Sequence, residues 1–219
     1  MRPRQALCAN WRHRSPGPAG PRSRSTTWTS FAAINAVGVL FRSNASAAEK
    51  HEVVYDSLKT SFGLKHNTPD QDFWILHALR MGEKHERKFL VWEIYYDSKR
   101  KGWRNTSLPI PASTGLIKVL GSGAACAQKH IDRWINSAVG GRSSAIFSGF
   151  CDALFSGEDK HSGGMPQIGA LTPGSHAQML GFIDGNKHYL QGLQVIQVKT
   201  LHRIHWVDRY FQNMNALWR

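Results

Sequence analysis

The chain has 219 residues and a formal net charge of +13, from 28 lysines and arginines against 15 acidic residues. This length fits one domain of ordinary size with enough apolar residues for a core, and no apolar run is long enough to cross a membrane. Three cysteines, an odd count without Cys-x-x-Cys spacing, disfavour a disulfide-bonded secreted protein and favour a reducing compartment such as the cytoplasm.

Residues 1–28 form an arginine-rich leader that we expect to be disordered. The leader has six arginines and no acidic residue, and the remaining 22 basic and 15 acidic residues leave +7. It offers no apolar surface whose burial would offset the entropy of ordering. Three interpretations stay open: a basic arm that contacts nucleic acid or another polyanion, a targeting peptide whose prolines spoil the usual helix, or foreign residues added by a wrongly placed gene start.

The next two predicted elements are a strand and a helix. Residues 31–41 are a continuous apolar run whose length and β-branched content favour a buried strand, with a helix as the alternative. Asn44 and Ser46 can then cap a helix from about Ala47 to Leu64. Apolar side chains one turn apart mark the inner face of that helix: Val54, Leu58 and Phe62.

A further helix is predicted after Pro69, because proline suits the first helical turn and Asp70 and Asp72 favour the positive end of the helix dipole. The residues that follow at helical spacing are Phe73, Leu76, His77 and Arg80. We interpret His77 on that face as a core histidine rather than a ligand.

The strongest predicted strand runs from Lys88 to Asp97, where aromatic and β-branched residues are concentrated. Residues 98–102 make a charged turn, and Trp103 begins the return strand. We interpret this basic turn as a solvated hairpin tip, with a phosphate contact as the alternative. Pro109 and Pro111 restrict the following piece to a sheet edge or an irregular loop.

Residues 116–171 carry the most characteristic pattern of the chain. A strand is predicted from Leu116 to Leu120, and it ends at the glycine turn Gly121-Ser122-Gly123. Two helical stretches follow, the second over residues 143–155. The chain then closes on Asp159-Lys160-His161-Ser162-Gly163-Gly164 and enters a short apolar strand.

Two further elements complete the predicted fold. Residues 180–189 have the pattern of a β-hairpin with Asp184-Gly185 at its turn. A C-terminal amphipathic helix is predicted from apolar residues at three- and four-residue steps: Ile204, Val207, Tyr210, Phe211 and Met214.

Other chemical motifs are weak. The glycine turn at Ser122 precedes a helix and could cradle a phosphate, but it lacks the further residues of a dinucleotide fingerprint or a P-loop. His202 and His205 have a metal-compatible spacing without a cysteine or carboxylate pair. Cys126 and Cys151 lie on apolar helical stretches, where a buried thiol is the usual explanation. The sequence therefore predicts no metal and no cofactor.

The pattern over residues 116–190 resembles the second half of proteasome β-subunits and of bacterial proteasome-like peptidases, which are N-terminal nucleophile (Ntn) hydrolases. The matching features are the glycine turn with Ser122, the helix pair, the strand pair and the motif Asp159-x-x-Ser162-Gly163-Gly164. The separation of 37 residues between Ser122 and Asp159 also suits the family. The resemblance implies an α+β fold, a four-layer αββα sandwich incomplete at its N-terminus. Residues 29–219 would then be a single Ntn-hydrolase-like domain with the C-terminal helix.

The resemblance also implies a site that contains Ser122, Asp159 and Ser162. In that family the corresponding residues surround an N-terminal threonine, whose hydroxyl is activated by its own α-amino group. Asp159 and Ser162 would orient the amine and the hydroxyl, with Ser122 in the same network. The residues alone allow a second interpretation, in which Asp159 and Ser162 form a turn after a helix and Ser122 caps the next helix.

The nucleophile itself is not identified. Thr27 and Lys59 are 32 positions apart, similar to the threonine–lysine separation of the family, but Ser122 then follows too early. We therefore expect the nucleophile-bearing strands to be missing, with residues 1–28 in their place.

The predicted function is a threonine-type peptidase or amidohydrolase that acts on a peptide or amide, or a degenerate relative that lacks the nucleophile. We expect a homo-oligomer that does not associate with membranes. Two alternatives from other classes stay open. One is a non-catalytic assembly subunit, since the family packs its subunits into rings, and the other is a nucleic-acid-binding protein that uses the leader and binds with steep salt dependence.

Overall fold

The structure, a computed structural model, describes residues 6–12, 45–64, 72–82, 87–171, 177–196 and 204–214, the first of these segments as backbone alone. Helices and antiparallel sheets occur together, so the molecule is of the α+β class, as predicted. The chain divides into two compact units: a three-stranded unit, Thr26–Ile110, and a six-stranded unit, Met1–Ser25 with Pro111–Arg219. That a single domain spans residues 29–219 stays a prediction.

The three-stranded unit contains one described helix, α1 (Ala47–Gly63), and a sheet. The hydroxyl of Ser46 accepts the backbone N–H of Glu49 at 3.2 Å, and the Glu49 carboxylate accepts the N–H of Ser46 at 2.7 Å. This reciprocal capping box fixes the start of the helix, as the sequence predicts for Ser46. The sheet is antiparallel in the order β2-β3-β4, with strands β2 (Phe73–Met81), β3 (Lys88–Asp97) and β4 (Gly102–Leu108). The predicted strand 88–97 and its hairpin turn are confirmed.

Aromatic side chains form the core between α1 and the sheet of the three-stranded unit. The ring of Phe62 on α1 lies 4.5 Å from that of Tyr96 and 5.1 Å from that of Trp103. Phe73 stacks on Tyr96 at 5.3 Å. Val54 on the same helix is buried, so the predicted inner face of α1 is the face that packs.

The six-stranded unit is built on a sheet of order β1-β5-β6-β7-β8, in which neighbours are antiparallel. A further strand, β9, pairs in parallel with β6. The strands are β1 (Ala6–Arg12), β5 (Gly163–Leu171), β6 (Gln178–Asp184), β7 (Lys187–Leu190), β8 (Leu193–Val195) and β9 (His205–Val207). Gly185 has a φ of +55° at the turn between β6 and β7, so the predicted hairpin is confirmed.

Two helices, α2 (Ala124–Ile135) and α3 (Ser143–Ser156), pack against each other in this unit and share a core with β5 and β6. They approach closely at Gly149, where an added Cβ would lie 2.5 Å from the Cα of Ile131. Only glycine permits this separation of the two backbones. The helix 143–155 predicted from the sequence is confirmed.

The predicted helix after Pro69 is wrong where the structure describes it. Residues Phe73–Met81 form β2, which pairs with β3 from Phe73 opposite Tyr96 to Met81 opposite Lys88. Of the four residues at helical spacing only Phe73 and Leu76 are apolar, which is too few to decide the period, and pairing with the strong neighbouring strand decides it instead. His77 is buried in the core, as predicted, but from a strand.

Two predictions in the six-stranded unit are also wrong. Residues 116–120 form an irregular segment that pairs with no strand among the described residues, although Leu116 and Val119 pack against the core. Residues 204–214 form β9 and a turn instead of a C-terminal helix. The carboxylate of Asp208 accepts the backbone N–H groups of Tyr210 and Gln212 at 2.9 and 2.8 Å, and such a side-chain acceptor competes with helical hydrogen bonding.

The leader differs from its prediction over seven residues. Ala6–Arg12 form β1 along β5, from Ala6 opposite Leu171 to Arg12 opposite Gly163, whereas the sequence predicts disorder. A sheet edge has unpaired backbone N–H and C=O groups with which another segment can pair, and the composition of that segment does not predict such pairing. The other leader residues and the predicted strand 31–41 lie outside the described residues.

Candidate functional site

The glycine turn places Ser122 immediately ahead of α2. Gly121 has a φ of +101°, a conformation that glycine adopts without a steric penalty. The N-cap of α2 is Gly123, and no side chain caps the helix. Ser122 therefore does not cap α2, and the interpretation of this residue as a helix cap is wrong.

The second part of the site is the turn that follows α3. The helix ends at Gly157, which adopts the left-handed conformation with a φ of +71° and so reverses the chain direction. A tight turn follows, in which the N–H of Ser162 donates to the carbonyl of Asp159 at 3.2 Å. Gly163 then begins β5, so Ser162 is held between a turn and the first residue of a strand.

The structure brings the three predicted site residues together as the Asp159 cluster, which consists of Ser122, Asp159 and Ser162. The hydroxyl of Ser122 donates to Oδ2 of Asp159 at 3.0 Å, and the hydroxyl of Ser162 donates to the same oxygen. Oδ1 of Asp159 accepts the backbone N–H of His161 at 3.2 Å. Their proximity is a fact of the structure, whereas their catalytic role stays a prediction.

The hydrogen bonds of Asp159 determine its charge. They lower the pKa of its carboxyl below the ordinary value of 3.8, chiefly through Ser162, and then through the backbone of His161 and through Ser122. Ser162 is buried, Asp159 is half-buried and Ser122 is exposed. The cluster is therefore an ionised carboxylate, anchored on its buried side and accessible from the side of Ser122.

This arrangement suits an acceptor more than a base. A general base is most effective when its pKa is near the operating pH, and the lowered pKa of Asp159 moves it in the other direction. Neither serine is therefore strongly activated by the carboxylate. What the cluster can do at neutral pH is accept hydrogen bonds from an ammonium or hydroxyl group and hold that group in a fixed orientation.

A neighbouring set of metal-ligand residue types was missed by sequence analysis. The Cys126 cluster consists of Cys126, His130 and Glu158, whose ligand atoms all lie within 4.8 Å of one another. Cys126 and His130 are four residues apart on α2 and therefore share a face. That spacing was a signal, but Glu158 comes from beyond α3 and is 28 residues from His130, so only the fold brings it there.

The three-stranded unit contains a different polar cluster, the histidine pair of His51 and His77. Their Nδ1 atoms are 2.8 Å apart, and Nε2 of His51 lies 2.8 Å from Oδ1 of Asn105. Because that oxygen is an acceptor, His51 carries its proton on Nε2, and His77 donates to His51. Each imidazole is 1% exposed, and Trp92 stacks on His51 at 4.3 Å. Burial, and then His51, lower the pKa of His77 to about 4.

Within the part of the chain that the structure describes, the other candidates from the sequence do not belong to the Asp159 cluster. Lys59, the predicted partner of Thr27, lies on α1 with its ammonium 5.0 Å from the centre of the Tyr55 ring. His205 is exposed on β9. Thr27 and His202 lie outside the described part of the chain.

Comparisons of the chain with protein-family models, curated proteins and solved structures found no match. The functional interpretation therefore depends on the geometry of the described residues. None of the helices described has both the length and the apolar character needed to cross a membrane.

Proposed function

We propose that the protein is a proteasome-like threonine-type peptidase or amidohydrolase, or a degenerate relative that lacks the nucleophile. In this proposal the Asp159 cluster is the supporting half of an Ntn-hydrolase site. The observation that carries it is the convergence of the Ser122 and Ser162 hydroxyls on one carboxylate oxygen. These are the residues that the resemblance selects, and they come from two elements separated by 37 residues.

The competing explanation is a structural turn. Asp159 does shape the chain after α3, because it accepts the N–H groups of His161 and Ser162 within four residues. Ser122, however, is not needed for that turn. It reaches Asp159 from ahead of α2, and it is exposed, so its bond adds little to stability. Ser122 is thus both the least stabilising and the most accessible member of the cluster, and this combination favours a role in binding.

The chemistry of the proposal requires a threonine at a chain terminus. Its α-amino group has an ordinary pKa of about 7.7–8.0 and can take the proton of the neighbouring hydroxyl during attack on a carbonyl. The ammonium that forms needs an acceptor that stays ionised, and Asp159 meets this requirement. The hydroxyls of Ser122 and Ser162 would restrict where that ammonium can lie.

A four-layer αββα sandwich is part of the same proposal. Its support is that each unit contains helical and sheet elements that pack on each other: α1 on the three-stranded sheet, and α2 with α3 on β5 and β6. The homo-oligomer expected from the resemblance is likewise proposed.

A specific observation favours the assembly subunit as the second candidate. Large apolar side chains are exposed at the ends of both helices of the six-stranded unit and around β8: Ile135, Phe155, Leu193 and Ile196. Such residues are common at subunit contacts. Measuring the mass of the native protein by light scattering tests this candidate, since a monomer at micromolar concentration would contradict it.

N-terminal sequencing with intact mass, on protein purified from its own host, tests the leading proposal. A mature chain that begins at Thr26, Thr27 or Thr29 supports an active threonine nucleophile. The matched variant Asp159→Asn should then slow the hydrolysis of a panel of fluorogenic peptides, while Ser113→Ala, an exposed loop serine, should not. A chain that retains Met1 and hydrolyses nothing contradicts the enzyme and leaves the degenerate relative.

A further inference from the structure

The first two turns of α2 carry ligand-type residues that the proposed hydrolase does not use. Cys126 and His130 lie on one face of α2, and Glu158 lies just beyond the C-terminus of α3. Nε2 of His130 is 3.0 Å from Oε1 of Glu158. All three donor atoms fall within 4.8 Å of one another. A thiolate, an imidazole and a carboxylate form a set that zinc binds readily.

We propose that Cys126, His130 and Glu158 bind a Zn²⁺ ion, with a water molecule in the fourth coordination position. Zinc bonds to sulfur, nitrogen and oxygen are about 2.0–2.3 Å long, so the donor atoms of a tetrahedral site lie roughly 3.3–3.8 Å apart. The separation of 3.0 Å between His130 and Glu158 is shorter than this range by about 0.3 Å. Closing the widest separation requires a shift of about 1 Å, which side-chain rotation of Cys126 and Glu158 can supply.

The backbone positions of the ligands are fixed before any metal arrives. Cys126 and His130 are held by the helix, and the imidazole of His130 is buried, with 9% of its side chain exposed. The N–H of Glu158 donates to the hydroxyl of Ser156 at 3.1 Å, and that hydroxyl donates to the carbonyl of Ala153 at 2.8 Å. Preorganised ligands lower the entropic cost of binding a metal.

The competing explanation is an ion-pair cluster without a metal. Nζ of Lys129 lies 3.0 Å from Oε2 of Glu158, and this ammonium occupies one side of the carboxylate. The side chain of Lys129 is 57% exposed, so it can turn into solvent when a cation takes its place. Without a metal, Cys126 would be a partly buried thiol that packs against the core, with its Sγ 3.9 Å from the hydroxyl of Ser156.

The proposed ion would connect α2 to the segment that begins the Asp159 turn, because Glu158 directly precedes Asp159. A bound metal would therefore restrain the position of Asp159 relative to Ser122. This consequence does not depend on the proposed hydrolase activity, and binding of the metal can be measured without any substrate.

The test uses the full chain without a histidine tag, freed of metal with a chelator and then titrated with Zn²⁺ by calorimetry. We expect one tightly bound equivalent and a rise in the melting temperature. Cys126→Ser and Glu158→Gln should each weaken binding on the order of tenfold or more, since even residues that only support a ligand have effects of 10–100-fold. Lys129→Met removes the competing ammonium and should leave binding unchanged or tighter.

Cobalt provides a readout that is specific for the thiolate. Co²⁺ in place of zinc should give a sulfur-to-metal charge-transfer band that is lost in Cys126→Ser and kept in the matched control Cys8→Ser. Circular dichroism checks that each variant is folded, and Glu158→Gln keeps the test decisive if Cys126→Ser does not fold. The absence of a stoichiometric Zn²⁺ equivalent, or equal binding in Cys126→Ser, Glu158→Gln and the parent chain, would overturn the site.

Discussion

The Asp159 cluster and the histidine pair are both compact hydrogen-bonded groups, yet they differ in solvent access. The histidine pair is enclosed by α1, the three-stranded sheet and the ring of Trp92, with each imidazole 1% exposed. The Asp159 cluster is anchored by buried Ser162 and open at exposed Ser122. Burial without charge makes a group part of the core, whereas a charge with one open side remains available to a ligand.

Of the variants that compare the two clusters, His51→Ala is expected to lower the free energy of unfolding most. The substitution removes hydrogen bonds to His77 and Asn105 and the stack on Trp92, and it leaves a cavity with unpaired polar groups. We expect a loss of roughly 3–5 kcal/mol in the free energy of unfolding, measured by urea titration followed by circular dichroism. Asp159→Asn is the matched change in the open cluster and should cost less than about 1 kcal/mol. Equal losses would contradict the distinction.

The two clusters should also respond to acid in different pH ranges. The pKa of His77 is about 4 in the folded protein against 6.5 ordinarily. As the pH falls from 6.5 to 4, the unfolded chain binds a proton that the folded chain excludes, so stability decreases. The loss by pH 4 should be roughly 2–3 kcal/mol. The groups packed against His77 are His51 from α1 and Trp92 from β3, with Asn105 from β4 behind His51.

Asp159 does not contribute to the change in stability between pH 6.5 and 4. Its folded pKa lies below the ordinary 3.8, so its stabilisation is present above pH 3.8 and is lost only at lower pH. His77→Gln should therefore flatten the stability profile between pH 6.5 and 4, and the exposed control His205→Gln should not. A profile with the same slope in His77→Gln would show that other groups cause it.

The rigidity of the helix pair that positions the Asp159 cluster should depend on the close approach of α2 and α3. Gly149→Ala places a Cβ against the backbone of Ile131, and we expect a loss of roughly 1–3 kcal/mol from overpacking. Gly141→Ala is the control, since an added Cβ there meets nothing within 4 Å. Thermal unfolding of both variants measures the difference. Equal stability would mean that the helices can separate without cost.

The smallest expected change in the free energy of unfolding should distinguish the two serines of the Asp159 cluster. Ser162→Ala removes a buried hydroxyl from Asp159 and should cost about 1 kcal/mol, whereas Ser122→Ala removes an exposed one and should cost less than about 0.5 kcal/mol. Chemical denaturation of the single variants provides the measurement. A larger loss for Ser122→Ala would mean that this residue is structural.

Sequence analysis placed Ser122, Asp159 and Ser162 in one site through the family resemblance, since no local pattern joins two turns that are 37 residues apart. A glycine turn and an Asp-x-x-Ser-Gly-Gly turn have strong backbone signatures, and these predict conformation without tertiary information. The strand 88–97 and the helix 143–155 were predicted for the same reason, since their composition and period agree with their surroundings.

The elements that could not be predicted depend on partners distant in the chain. β2 is a strand because β3 lies beside it, whereas residues 116–120 are irregular and have no strand partner within the described segments. The C-terminal segment turns at Asp208, because the carboxylate of this residue accepts two backbone N–H groups. The histidine pair and the Cys126 cluster each join residues more than 25 positions apart, and no local pattern predicts such a meeting.

The most direct test of the central claim compares hydrolysis of fluorogenic peptides by the parent chain and by Asp159→Asn. We predict that the rate falls on the order of 100-fold or more, since an oriented charge near the reacting group has effects of this size. The free energy of unfolding, measured on the same samples, should change by less than about 1 kcal/mol. Equal rates in the two proteins, or no hydrolysis by either, would contradict a catalytic role for the Asp159 cluster and leave it as a turn.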